Sequence, residues 1–122
     1  MKVLALLGVL LAQMMAPPPA MNEAAIARAR AGERLNLVVR VDSFSHHTIA
    51  GHVLDRVTDS SYTLTKSTMA IYAPGDTSFV MGSPDDVRRG AVLYVYAVAT
   101  KPQAADATKI VIVTPYVTVK ER

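Results

Sequence analysis

From Leu35 onward apolar residues recur at every second position, and that alternation persists to the closing segment. In "LNLVVRVD" it sets Leu35, Leu37, Val39 and Val41 on one face and Asn36, Val38, Arg40 and Asp42 on the other, the pattern of a strand with one buried side. "SFSHH" interrupts the run. "TIAGHVLDRV" resumes it, with Ile49, Gly51, Val53 and Asp55 alternating against Ala50, His52, Leu54 and Arg56. A glycine inside such a strand predicts a bulge, a sharp bend or a close backbone approach. Beyond the turn "TDSS", "SYTLTK" places Tyr62 and Leu64 on one face. "TMAIYA" and "TSFVM" read as two further short strands around the turn "PGD". "AVLYVYAV" and "TKIVIVTPYVTVK" follow after loops.

One stretch departs from this pattern. In "SPDDVRRG" Ser83 is placed to cap a helical turn, Pro84 to open it, Asp85 and Asp86 to sit at its positive end, Arg88 and Arg89 at its negative end and Gly90 to stop it. Capping chemistry accounts for all of these charges without a bound ion. Short strands with one such turn before the penultimate strand predict a mainly β domain, a small OB-like barrel of five or six strands. The segment from Leu35 to Asp42 is then an added strand or the first half of a long, bent first strand, and a β-sandwich is the alternative architecture. At 122 residues the chain suffices for one domain with its own core, so no metal or disulfide is needed to fold it.

The N-terminus reads differently. Lys2 precedes the uninterrupted apolar run "VLALLGVLL", and even extended to Ala16 the apolar stretch falls short of the ~20 residues that span a bilayer as a helix. Residues 1–20 are therefore expected to be a signal peptide, with an uncleaved anchor as the alternative, and the product to be periplasmic or secreted. Only an uncleaved segment would bring the protein to a membrane. Residues 21–34, "MNEAAIARARAGER", are expected to form a short helix or a flexible lead-in, and residues 35–120 the barrel. The chain has no cysteine, which excludes disulfides, thiol catalysis and cysteine-ligated metal centres.

Three stretches, "TIAGHV", "DTSFVMGSPDDVRRGAVLYVYA" and "ATKIVIV", together resemble a family of small exported bacterial OB-fold domains of uncharacterised function. The shared pattern is an I-x-G-x-V strand, a D-T turn, a D-x-x-x-G helical turn, a strand alternating valine with aromatics and an A-x-x-I closing strand. The resemblance covers roughly residues 49–113. It implies a secreted or periplasmic barrel serving as a binding or structural module, and it carries no catalytic residues onto this chain.

The three histidines, His46, His47 and His52, fall within "SFSHHTIAGHVLDR". On one extended strand His46 and His52 would lie about 20 Å apart, too far for one metal ion. If the chain turns at "FSHH", His46 and His47 sit at the tip, and no carboxylate stands at a ligand-like spacing from them. A metal or haem carrier working through His46 and His47 is accordingly the weakest reading, and no resident cofactor is expected. Neither a G-x-S-x-G elbow, a G-x-G-x-x-G fingerprint, a P-loop nor a plainly paired set of carboxylates occurs, so no enzyme activity is expected.

"LYVYAV" is the stronger binding signal. If Leu93, Val95 and Ala97 fill the barrel, Tyr94 and Tyr96 project from its outer face, and Tyr72 joins them because Met69 and Ile71 suit the core better. Such tyrosines can stack on rings or anchor a partner, or they can pack against another part of the chain. Tyr72, Tyr94 and Tyr96 are the expected ligand-binding residues of a non-enzymatic module whose partner is an envelope protein, a glycan or a small ligand. A single-stranded nucleic-acid-binding OB protein using the same tyrosines with Arg40 and Lys66 is the alternative. The net charge of +3, of which Lys2 supplies one, and the expected export both argue against nucleic acid.

Overall fold

The computed structural model describes residues 26, 28–58, 60–114 and 117–120. The signal-like segment 1–20 lies outside the described residues. The chain is mainly β, built from β1 (Arg34–Ser45), β2 (Thr48–Thr58), β3 (Ser61–Tyr72), β4 (Ser78–Val80), β5 (Val92–Lys101), β6 (Ala104–Ile112) and β7 (Thr118–Lys120). β1, β2 and β3 form an antiparallel meander, and β3 runs parallel to β6. β6 turns back antiparallel to β5, which pairs with β1. Five strands thus hydrogen-bond in a closed ring, in the order β1, β2, β3, β6, β5. β4 takes over beside β6 where β3 leaves it, and β7 adds to the start of β3.

Alternation fixes what the ring encloses. Leu35, Leu37, Val39 and Val41 of β1 and Leu93, Val95 and Ala97 of β5 are all buried in one apolar cluster with Ile49, Val53, Met69 and Ile71. Facing pairs such as Leu37 with Val95 and Val39 with Leu93 hold β1 against β5. Of the lead-in, Ile26 and Arg28 are helical, and Ile26 and Ala29 are buried in the same cluster. The segment ends by pairing with β5: the Gly32 N–H donates to the Ala99 carbonyl and the Ala99 N–H to the Glu33 carbonyl, each at 2.8 Å.

The two longest strands differ from their expected bounds. β1 does not stop at Asp42. Val41 faces Gly51 while Ser43 faces Ala50, so Asp42 is the extra residue of a bulge and the strand bends through it to Ser45. Residues 35–42 are therefore the first half of a long, bent first strand. Likewise "SYTLTK" and most of "TMAIYA" are one strand, β3, bent where the β2–β3 register shifts between His52 and Leu54. There the buried Thr65 hydroxyl donates to the Val53 carbonyl at 2.7 Å and accepts the Ser67 N–H at 3.1 Å. A side chain supplies the hydrogen bonds that the ladder misses, which keeps the strand continuous.

The bend sends the outer half of the β2–β3 hairpin over the outside of the ring. Leu54 and Tyr62 pack there with Val38, Val92, Tyr94, Val111 and Val113, making a second core, and Val119 of β7, opposite Tyr62, packs against it. The Tyr62 and Tyr94 hydroxyls hydrogen-bond at 2.9 Å, and their rings meet edge to face with centroids 6.4 Å apart. Tyr62→Phe and Tyr94→Phe should each lower stability by about 1 kcal/mol. The double variant should lose less than the sum in denaturant titrations, because both singles remove the same bond.

The helical turn is the 3-10 helix Pro84–Asp86. The Ser83 N–H donates to the Asp86 carboxylate at 2.8 Å, and Arg88 Nε donates to the Asp85 carbonyl at 3.1 Å. Both arginines follow the turn, and Gly90 (φ +90°) redirects the chain so that its N–H bonds the Val41 carbonyl. Val87 anchors the segment in the ring interior.

Candidate functional site

β1 and β2 are joined by two residues, His46 and His47, between the facing pair Ser45 and Thr48. Both have positive φ, +50° and +62°. A two-residue hairpin turn with both φ positive matches the twist of its strands, and Asn-Gly is the sequence that suits it. Histidine enters this region more readily than most residues, but a side chain there still costs roughly 1–2 kcal/mol. Replacing the pair by Asn-Gly should raise stability by about 1–2 kcal/mol, read as a higher denaturant midpoint. The turn is tied down, since the His47 carbonyl accepts the Ala73 N–H at 2.7 Å.

That tie closes one side of a cleft of about 590 Å3. Phe44, His46 and His47 line it from the β1–β2 end, Ala73, Pro74 and Thr77 from the β3–β4 connection, Phe79 from β4 and Pro84 from the helical turn. The size suits a small organic ligand, for which roughly 300–1,000 Å3 is usual. Phe44 and Phe79 are partly buried against the ring core. They are also the chain's only two phenylalanines, so both stand at this one site. Among the described residues no carboxylate lines the cleft, and the polar side chains there are Ser45, His46, His47 and Thr77. Sequence reasoning found the two histidines but missed Phe44 and Phe79. The available signal was an aromatic residue beside each turn, in "SFSHH" and "PGDTSF".

His52 is not part of this cleft. It faces Arg40 across the β1–β2 ladder, and its Nδ1 lies 2.5 Å from the Asp42 carboxylate, which Arg40 also approaches at 3.8 Å. The bulge that turns Asp42 outward explains this cluster. Among the described residues no three histidine or acidic side chains converge as a metal-binding group.

The three tyrosines do not make one exposed platform. Tyr94 and Tyr96 do leave the inward set of β5, as alternation requires. Yet Tyr94 is only 1% exposed, because the β2–β3 hairpin folds over it. Tyr96 is partly exposed, between Asn36 and Lys109 in the ladder, with Lys109 Nζ 5.4 Å from its ring centre. Burial, and secondarily Tyr94 beside it, raise the Tyr96 phenol above its ordinary pKa of 10.0. The folded state therefore holds this proton more firmly than the unfolded chain, so its contribution to stability is present below about pH 10 and is lost above it. Tyr72, 46% exposed, stands apart at the end of β3, between Thr48 and Asp106. Arg40 is engaged with Asp42, and Lys66 is exposed on β3.

No family model matches the chain, and neither the curated proteins nor the solved structures contain a match.

Proposed function

We propose that this chain is an exported, OB-like β-barrel protein that acts as a non-enzymatic binding or envelope-associated module and meets its ligand at the β1–β2 end of the ring. The observation that carries the binding reading is the cleft. Two aromatic rings and two histidines in backbone conformations unfavourable to folding converge on a space of small-ligand size. The order of the ring, a meander whose third strand runs parallel to the last ring strand, supports the OB assignment, as does a helical turn before the fourth ring strand. Export rests on Lys2 and the apolar run that follows it.

The burial of Tyr94 weakens the single-stranded nucleic-acid reading by removing one of its three stacking rings. A metal or haem carrier would have to rely on His46 and His47, with His52 held by Asp42. The intact mass of the protein from fractionated native cells tests the proposal. A soluble exported form lacking about twenty N-terminal residues is expected. Full-length protein in the cytosol would contradict export and make salt-sensitive oligonucleotide binding the next measurement.

A further inference from the structure

We infer that the cleft selects small amphiphilic acids, molecules with a planar or otherwise apolar body and one carboxylate. The inference rests on the cleft being the ligand site proposed above, and it adds the ligand's chemical class.

The apolar half of the cleft is its wall. Phe44, Phe79, Ala73, Pro74 and Pro84 offer rings and aliphatic surface but few hydrogen bonds, so they suit a flat hydrocarbon body. The polar half is the turn. His46 and His47 stand side by side at the rim, and every imidazole has at least one N–H to donate. An acidic lining would attract a cation instead, and among the described residues there is none: Asp76 and Asp85 neighbour lining residues in sequence and lie outside the lining itself. Donors without acidic competitors favour an anionic acceptor, and a hydrogen bond to a carboxylate is stronger than one to a neutral oxygen.

The backbone adds an independent observation. Both histidines hold positive φ, where Asn-Gly or Gly-Gly would form the same turn with less strain. Their side chains therefore do something other than fold the hairpin. The bond from the Ala73 N–H to the His47 carbonyl fixes the turn against the opposite wall of the cleft. The imidazoles are thus carried on a positioned element, where they can meet a head group at the rim while the body lies between Phe44 and Phe79.

The test compares naphthalene-2-carboxylate with its neutral isostere, naphthalene-2-carboxamide, by calorimetric titration of the mature protein. The carboxylate should bind about tenfold more tightly. In a His46→Gly and His47→Gly double variant that advantage should vanish while the amide still binds. Phe79→Ala should weaken both probes alike. Equal affinities in the unaltered protein would overturn the acid class and leave the binding-module reading standing. A carboxylate preference that survives in the double-glycine variant would also overturn it, by showing that the acid is read elsewhere. Binding of neither probe would overturn this inference together with the assignment of the cleft as the ligand site.

Discussion

Tyr94→Ala is expected to lower the stability of the domain by about 3–5 kcal/mol, the range for emptying a fully buried aromatic site. Tyr94 occupies the middle of the second core. It packs with Val38 of β1 and Val111 of β6 on the ring side and reaches Tyr62 of the overlying hairpin. Removing it leaves a cavity between two layers and takes the hydroxyl partner from Tyr62. Domains of this size have about 5–15 kcal/mol in all, so the variant should unfold at a urea midpoint about 2 M lower. An exposed tyrosine on a binding face would instead change stability by less than about 0.5 kcal/mol. The same measurement therefore separates the two roles a sequence can assign to this residue.

Gly51→Ala is the second large effect, and its sign is unusual. In a strand interior alanine ordinarily gains roughly 0.5–1 kcal/mol over glycine. Here a Cβ would stand 2.5 Å from Val39 Cγ1 and 2.6 Å from the Arg40 carbonyl oxygen. The valine methyl can rotate away, but the carbonyl belongs to the paired strand beside the Asp42 bulge and cannot. Overpacking of this kind costs about 2–3 kcal/mol, which outweighs the entropic gain. Gly75→Ala, where nothing lies within 4 Å of the new Cβ, is the control and should change stability by less than about 0.5 kcal/mol.

Much of the ring was legible in the sequence because a half-buried strand writes its period directly. Leu35, Leu37, Val39, Val41, Leu93, Val95 and Ala97 all point inward as the alternation required, and of the bulge, bend or close approach that Gly51 could signal, the structure shows the close approach. The continuity of β3 was not legible. It depends on the Thr65 hydroxyl standing in for ladder bonds, and a threonine among threonines gives no sign of that. The second core was hidden for another reason. Val38 lies on the nominally polar face of β1, and its cover arrives through contacts such as Tyr62 with Tyr94, thirty-two residues apart. That cover is why Tyr94 left the set of exposed tyrosines.

The cleft was half legible. The pair His46 and His47 reads from sequence as the tip of a hairpin, but the residue types do not reveal that both hold positive φ. Phe44 and Phe79 are thirty-five positions apart, and only the ring's closure, with β4 set beside β6, brings them to one cleft. Periodicity places residues on faces. It says little about which ends of which strands meet.

The most direct test is to map where small molecules bind on the isotope-labelled protein by amide chemical-shift perturbation, using a fragment set that spans anionic, neutral and cationic aromatics. The largest shifts should cluster at Phe44, His46, His47, Ala73, Thr77 and Phe79, as a ligand in the cleft requires, with the strand residues around Tyr96 unmoved. Shifts centred on Tyr96, Asn36 and Lys109, with the His46–His47 turn silent, would contradict it and place the binding face on the outside of β5.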